Sequence, residues 1–184
     1  MENTLWKLLA FILCALLLFL APLMSVLERQ DDISYTVVFT ECNRFVDACR
    51  DTGYITPGMY SEFSDRLGST GNTYQINLSH VKRSVNPIYI QSNGALAFTG
   101  EYEITHVAFG EVDILGVLFP KGSVLSALDK ARRYNMDMGD LLFIEVRNKG
   151  KTMATAIRDM MLFSNTRAPG IFVRAGGMVR NEAY

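Results

Sequence analysis

Few side chains in this sequence stand in a pattern that points to catalysis, although carboxylates are numerous. The 184 residues include only two histidines, His80 and His106. His80 lies in a stretch of alternating apolar and polar residues, which favours a packed, hydrogen-bonded ring. His106 has no second ligand beside it at the spacing of a metal site. A catalytic role would require both histidines, or an acid pair, to converge in one pocket.

The cysteines and glycines add no recognisable chemistry. Cys42 and Cys49 are seven residues apart, about 10 Å along one helix, which is too far for a bridge within the chain. We therefore expect buried free thiols, with an intermolecular bridge as the alternative. Residues 68–71 lack the G-x-S-x-G pattern of a nucleophile elbow, and the glycines form no phosphate-binding motif. The sequence predicts no catalytic, cofactor-binding or metal-binding residues, no cofactor and no enzyme.

The net charge of −1 argues against nucleic acid as a partner, because nucleic-acid binders usually carry a basic face. The strongest signal is instead an apolar run from Leu8 to Leu27, LLAFILCALLLFLAPLMSVL, that contains no charge. About 20 helical residues span the ~30 Å hydrocarbon core of a bilayer. The run therefore predicts a membrane-spanning helix, represented by Leu8, Phe11, Leu17, Leu20 and Leu27.

A cleaved signal peptide is the alternative to a retained anchor. The run is longer than the 7–15 apolar residues of a signal peptide, and no small-x-small cleavage site follows it. We therefore expect a single-pass protein of the cell membrane. Lys7 precedes the run and Arg29 follows it, so basic residues decide the orientation weakly. A short cytoplasmic N-terminus with the body extracytoplasmic is the usual outcome for such a leader.

A second helix is predicted from Ile33 to Arg50. Apolar residues recur there at alternating steps of three and four, which is typical of one helix face. This stripe consists of Tyr35, Val38, Cys42, Phe45 and Cys49. It could dock onto the chain's own body or pack on neighbouring chains, and both remain open. If the chain does not break at Pro22 or in LERQDD, anchor and stripe form one rod of roughly 65 Å.

The rest of the chain predicts an α+β body. Thr56 and Pro57 begin a short helix that ends at Gly68. Alternation from Tyr74 to His80 predicts a half-buried strand, and residues 140–147 predict a central one. A helix after Thr152 should bury Met153, Ala156, Ile157, Met160 and Met161. Gly176-Gly177 breaks the last strand and indicates a bulge or a close backbone approach.

The predicted fold is thus a transmembrane helix that continues into a long amphipathic helix, followed by a small, mainly antiparallel sheet with one to three packed helices. The predicted segments are a membrane anchor at 1–30, an amphipathic helical hairpin at 31–68 and an extracytoplasmic head at 69–184. Residues 81–121 are the least regular part, in which Ile88 to Ile90 and Leu96 to Ile104 could each form a short strand. A helix over 121–133 completes the prediction.

Two stretches carry a family resemblance: residues 27–80, LERQDDISYTVVFTECNRFVDACRDTGYITPGMYSEFSDRLGSTGNTYQINLSH, and the tail, with GDLLFIEVRNKGKTMATAIRDMM and IFVRAGGMVRNE. They resemble single-span components of the Tad-type (Flp) pilus systems of clostridium-like Gram-positive bacteria. The resemblance implies a pseudopilin-like or accessory protein whose partners are other assembly subunits. The start, MENTLWKLLAF, lacks the small residue and the Glu that a prepilin peptidase recognises in that family, which favours an unprocessed assembly component.

The sequence therefore supports a structural or assembly component of a Tad-like, type IV pilus-like or secretion assembly, in contact with membrane lipid and possible as a homo-oligomer. The alternative is a membrane-anchored binding module or adhesin. That alternative predicts an exposed aromatic or polar cleft around Tyr89 to Tyr102.

Overall fold

A single helix forms the first third of the protein. The computed structural model describes residues 2–92, 95–122, 126, 129–166 and 170–181. Helix α1 runs without interruption over 51 residues, Glu2–Thr52, with Pro22 inside it. At 1.5 Å per residue it is about 76 Å long. The predicted rod therefore continues through both Pro22 and the LERQDD segment.

Helix α1 ends in a tight turn that starts a helical hairpin. Gly53 adopts the left-handed conformation (φ 76°), and its N–H donates to the Cys49 carbonyl at 2.9 Å. Strand β1, Tyr54–Ile55, follows, and helix α2 spans Pro57–Gly68. The Thr56 side chain accepts the Met59 N–H at 3.2 Å and caps α2, as its sequence predicts.

A four-stranded antiparallel sheet forms the centre of the head. Its strands are β2 (Tyr74–Ser92), β3 (Ala95–Phe109), β5 (Leu141–Asn148) and β6 (Phe172–Met178), in the spatial order β3-β2-β5-β6. Strand β4, Tyr134–Asn135, pairs separately with β1. Every pairing is antiparallel, which confirms the predicted α+β class.

Two short helices complete the head: α3, Glu111–Leu118, and α4, Met153–Leu162. The predicted helix over 121–133 falls partly on residues 123–125 and 127–128, which lie outside the described residues. Its described part contains one turn of 3-10 helix, Lys130–Arg132.

One face of the sheet packs on the C-terminal half of α1. Strand β5 alternates strictly, with Leu142, Ile144 and Val146 fully buried. They join one hydrophobic cluster with Val38 of α1 and Leu67 of α2. The helical hairpin within residues 31–68 therefore shares one core with the described part of residues 69–184.

Strand β6 runs unbroken through Gly176-Gly177, where the sequence suggested an interruption. The alternative expectation, a close approach, is what the structure contains. A Cβ on Gly176 would lie 2.3 Å from the Phe143 ring and 2.8 Å from the Leu142 carbonyl oxygen. A Cβ on Gly177 would meet the Arg50 guanidinium at 2.6 Å. Gly177 therefore lets β6 approach α1 closely, and Gly176 leaves room for the Phe143 ring of the neighbouring strand β5.

The buried face predicted for α4 is wrong. Met153 and Met160 are each 68 % exposed, and Ala156 and Met161 are exposed as well, while Ile157 is half-buried. The buried residues of α4 are Ala154 and Asp159. The predicted apolar residues do lie on one side of the helix, but that side faces outward and not toward the core.

Candidate functional site

His80 lies at the centre of a sealed polar network. Its Nε2 lies 2.9 Å from Asp140 Oδ2, and its Nδ1 lies 2.8 Å from the Tyr134 hydroxyl. An ionised Asp140 can only accept, so His80 donates from Nε2 and can accept the Tyr134 proton at Nδ1. The Phe109 ring stacks on the imidazole with centroids 5.7 Å apart. All three polar side chains are buried.

Backbone amides complete the network. Asp140 accepts the N–H of Arg83 and that of Asp137, each at 2.9 Å. Burial acts to raise the pKa of Asp140, but these two hydrogen bonds and the one from His80 lower it overall. Burial, with the charges of Asp113 and Asp140, raises the pKa of Tyr134 to about 12. The phenol thus keeps its proton, and the network joins β2, β4 and the start of β5.

The two histidines do not converge. His106 is exposed and pairs across the β2–β3 ladder with Arg83, whereas His80 pairs with Phe109. Three residues separate the two positions along the ladder, so they lie about 10 Å apart and on opposite faces of the sheet. Within the described residues, no group of three His, Cys, Asp or Glu side chains could hold a metal ion.

The predicted packing stripe of α1 is occupied by the head itself. Val38, Cys42, Phe45 and Cys49 are buried in the core, and only Tyr35 remains exposed. The Phe45 ring stacks on Phe63 of α2 at 4.6 Å. Burial, aided by Glu41, raises the pKa of Cys42 to about 12, and burial does the same for Cys49. The stripe is therefore not available to a neighbouring chain, and its thiols are protonated and enclosed.

The predicted membrane span, unlike the stripe, is for the most part not covered by the head. The 18-residue apolar window near the N-terminus of α1 has a mean hydropathy of 2.7, and none of it is buried. Leu8, Phe11 and Leu17 are exposed all around the helix. Leu20 and Leu27, toward its end, are half-buried. This long apolar N-terminal helix is compatible with a single-pass membrane protein.

An exposed two-stranded ribbon, residues 82–92 and 95–107, extends from the head. The short strands predicted at Ile88 to Ile90 and Leu96 to Ile104 lie within it, but the sequence predicted neither their full length nor their pairing. Strand β5 pairs with β2 only as far as Val81. Beyond that point β2 pairs with β3 alone, so the outer edge of each strand has no neighbouring strand in the sheet. None of residues 81–91 and 96–109 is buried. An isolated two-stranded ribbon is at best marginally stable in water.

Aromatic rings cluster on this ribbon. Tyr89 and Phe98 face each other across the strands with centroids 5.9 Å apart, and Phe98 contacts Tyr102 at 5.3 Å. Tyr89 and Tyr102 remain 54 % and 61 % exposed. Further exposed apolar residues follow the same strands: Val85, Ile90, Leu96, Ile104 and Val107. Clusters of exposed aromatic residues with open strand edges are typical of protein-binding surfaces.

One signal could have revealed the ribbon. Asn93-Gly94 stands between β2 and β3, and this dipeptide between two β-prone stretches favours a hairpin. The exposed residues on both sides conceal it, because a ribbon that buries neither face shows no alternation of apolar and polar residues. The aromatic surface predicted around Tyr89 to Tyr102 is therefore present as a protruding ribbon and not as a cleft.

Comparison of the chain with protein-family models, with curated proteins and with solved structures finds no match in any of the three. The class that the fold defines is an α+β head carried on one long helix whose N-terminal half is apolar and uncovered.

Proposed function

We propose that this protein is a non-enzymatic, single-pass membrane protein that carries its head outside the cytoplasm, as a structural or assembly component of a Tad-like, type IV pilus-like or secretion assembly. The observation that carries the proposal is helix α1. Its C-terminal half is built into the core of the head, and its apolar N-terminal half is uncovered. An uncovered apolar helix of this length is stable in lipid and not in water.

The geometry also indicates where assembly partners would bind. The stripe on α1 is occupied, so contact with other subunits falls to the ribbon and to the exposed sides of the span. The span has no GxxxG motif to bring helices close together in lipid. The ribbon offers exposed rings and open strand edges. We therefore assign the main subunit contact to the ribbon.

A photocrosslinking experiment tests this assignment. A photoreactive phenylalanine analogue replaces Phe98 in the full chain, expressed in its own cells beside its neighbouring genes. A matched variant carries the analogue at Ser61, an exposed position on α2. We expect Phe98 adducts with another membrane-bound assembly subunit and none from Ser61. Equal adducts from both positions, or none from Phe98, would contradict the proposal.

The orientation of the protein in the membrane can be tested by labelling one introduced cysteine, because the native cysteines are expected to react little. Cys42 and Cys49 are buried with raised pKa values, and Cys14 lies in the apolar run. In a Cys14→Ala chain, Ser61→Cys provides one exposed thiol on the head. We expect a membrane-impermeant maleimide to label it in intact cells. Labelling only after the cells are lysed would place the head in the cytoplasm instead.

The exposed rings of the ribbon favour a second candidate, a membrane-anchored module that binds an extracellular ligand. Tyr89, Phe98 and Tyr102 would then contact a molecule outside the cell rather than a subunit of the same membrane. The crosslinking experiment separates the two, because an adhesin gives Phe98 adducts only when the external ligand is added.

A further inference from the structure

The outward-facing side of α4 is an unusual surface for water. Met153, Ala156, Met160 and Phe163 recur at steps of three and four, so they share one face of the helix and its end. Phe163 is 98 % exposed. The four residues from Met160 to Phe163 are all apolar, and Leu162 between them is 68 % exposed.

Two contacts fix where α4 lies on the rod. The Thr152 hydroxyl, at its start, donates to Asp31 Oδ2 at 2.6 Å. Six residues later, the Arg158 guanidinium pairs with Glu28. Since Glu28 precedes Asp31 on α1, α4 descends toward the N-terminal end of the rod. Its last turn therefore points toward the apolar span.

The ion pair between Arg158 and Glu28 also indicates where the membrane surface would lie along the molecule. Glu28 is the first charged residue after the apolar run, and a charge is costly in hydrocarbon, so Glu28 and Arg158 belong at the headgroups. Phe163 comes five residues after Arg158, which places it about 4 to 7 Å closer to the hydrocarbon, according to the tilt of α4. Interfacial helices bury their apolar face to about 5–10 Å.

The exposure of residues on α1 also shows how far the head extends toward the N-terminus of the helix. Its head-facing side continues below Ser34 as a stripe of partly buried residues, Asp31, Leu27, Met24, Leu23 and Leu20. The other residues of the span between Thr4 and Val26 are exposed. The head thus covers one side of the last two turns of the apolar run, so its base reaches the depth of lipid.

The turn after α4 holds Phe163 in place. Phe163 adopts the left-handed conformation (φ 49°), which is uncommon for a bulky residue. Asp159 fixes the following segment by accepting from the Ser164 hydroxyl at 2.9 Å and from the Thr166 N–H and hydroxyl at 2.9 and 2.7 Å. Lys151 Nζ donates to the same carboxylate at 2.5 Å. The ring is therefore projected outward by a built turn.

We propose that the last turn of α4, with Phe163 as its tip, inserts into the bilayer interface and gives the head a second attachment to lipid beside the span. This inference rests on the proposed membrane anchoring. A lipid surface is the occupant that fits, because the last turn of α4 points toward the span, the segment from Met160 to Thr166 contains no charge, and the Arg158–Glu28 pair lies above it at the level of the headgroups.

Depth measurements on the full chain test the proposal. In a Cys14→Ala background, single cysteines replace Phe163, Met160 and Met153 in turn, and Ser61 on α2 serves as the matched control. Each variant is labelled with a nitrobenzoxadiazole fluorophore and reconstituted in vesicles of phosphatidylcholine and phosphatidylglycerol that contain 5-doxyl lipid. We expect blue-shifted emission with quenching strongest at 163, weaker at 160, weaker again at 153 and absent at 61.

Extraction of the same vesicles with alkaline carbonate separates the two proposals. Chains that stay in the vesicles, but whose labels at 160 and 163 behave as at 61, would overturn the inference and leave the anchor intact. Cysteines at 160 or 163 that form interchain disulfides without lipid quenching would overturn it in favour of a second copy. Release of the chain by carbonate would overturn both.

Discussion

Asp140 illustrates how one buried carboxylate can hold a small head together. It accepts hydrogen bonds from His80 and from the backbone N–H groups of Arg83 and Asp137. Asn could accept at one oxygen only and would point an NH₂ group at a donor. We expect Asp140→Asn to lower the free energy of unfolding by about 3 kcal/mol. Urea unfolding of the chain in detergent micelles, followed by near-ultraviolet circular dichroism, measures it.

The pH dependence of stability gives a second readout of the same residue. The pKa of Asp140 is lower in the folded chain than its ordinary value of 3.8. Its stabilisation is therefore present above about pH 4 and is lost as the pH falls through the folded-state pKa. Asp140→Asn should flatten the acid limb of the stability curve. Asp137→Asn is the control: this residue is exposed and pairs with Lys82, so the change should be under about 1 kcal/mol.

Gly176 is the position in β6 with the least room for a side chain. A Cβ there meets the Phe143 ring and the Leu142 carbonyl oxygen, and the backbone oxygen cannot move without disturbing the sheet. We expect Gly176→Ala to destabilise the head by about 1–3 kcal/mol in the same urea experiment. Gly116→Ala is the matched control, since nothing lies within 4 Å of its Cβ position in α3. The control should be neutral or slightly stabilising. Equal effects of both substitutions would contradict the crowding argument.

At the scale of elements, the ribbon is separable from the core. Residues 82–91 and 96–107 contribute no buried side chain, and Val85 and Ile104 are register partners on the two strands. Replacing residues 86–103 by Asn-Gly should join these partners in a short hairpin. We expect the free energy of unfolding to change by less than about 1 kcal/mol, because little apolar burial is lost and the chain is shorter.

Phe109→Ala, at the base of the same hairpin, provides the contrast. This ring stacks on His80 inside the head, so its removal should destabilise the fold although the ribbon stays intact. A shortened ribbon that unfolds the head would show that the ribbon is part of the folding unit.

The elements differ in how far the sequence predicted them, for a physical reason. The C-terminal half of α1, with α2 and β5, faces water on one side and the core on the other, so the periodicity is visible and the predictions are confirmed. Strand β2 was predicted as two pieces, Tyr74 to His80 and Ile88 to Ile90, because its buried face ends at His80, although it is continuous to Ser92. The amphipathicity of α4 was visible too, but periodicity cannot tell a core from another apolar environment.

At the scale of the molecule, the head and the rod form one unit. Val38 and Phe45 of α1 lie in the same cluster as Ile144 and Val173 of the sheet. Arg50 further ties the rod to β6, with its Nε donating to the Met178 carbonyl at 2.8 Å. Anchor and stripe were predictable from local sequence. The burial of the stripe by one sheet was not, because it depends on β5 and β6, which lie more than ninety residues further along the chain.

This unity makes membrane attachment testable without disturbing the head. Leu16 and Leu17 are exposed near the middle of the apolar run, far from the core residues of α1. Each Arg at the centre of a span costs about 2.5–3.5 kcal/mol on insertion scales. We expect the double variant Leu16→Arg, Leu17→Arg to leave the membrane pellet after alkaline carbonate treatment, whereas the wild type stays. Leu16→Val, Leu17→Val is the control and should stay, since it keeps the run apolar.

The head must also be shown to survive the change. Because the substituted residues lie outside the core, the released chain should retain the folded-state reactivity of Cys42 and Cys49, which resist maleimide until urea exposes them. Release with protected cysteines means that retention against carbonate requires the apolar run and that the head stays folded without it. Partial retention of the double Arg variant on anionic vesicles, abolished when Phe163→Glu is added, would reveal the second attachment through α4. A wild-type chain that carbonate releases would remove the basis for both attachments at once.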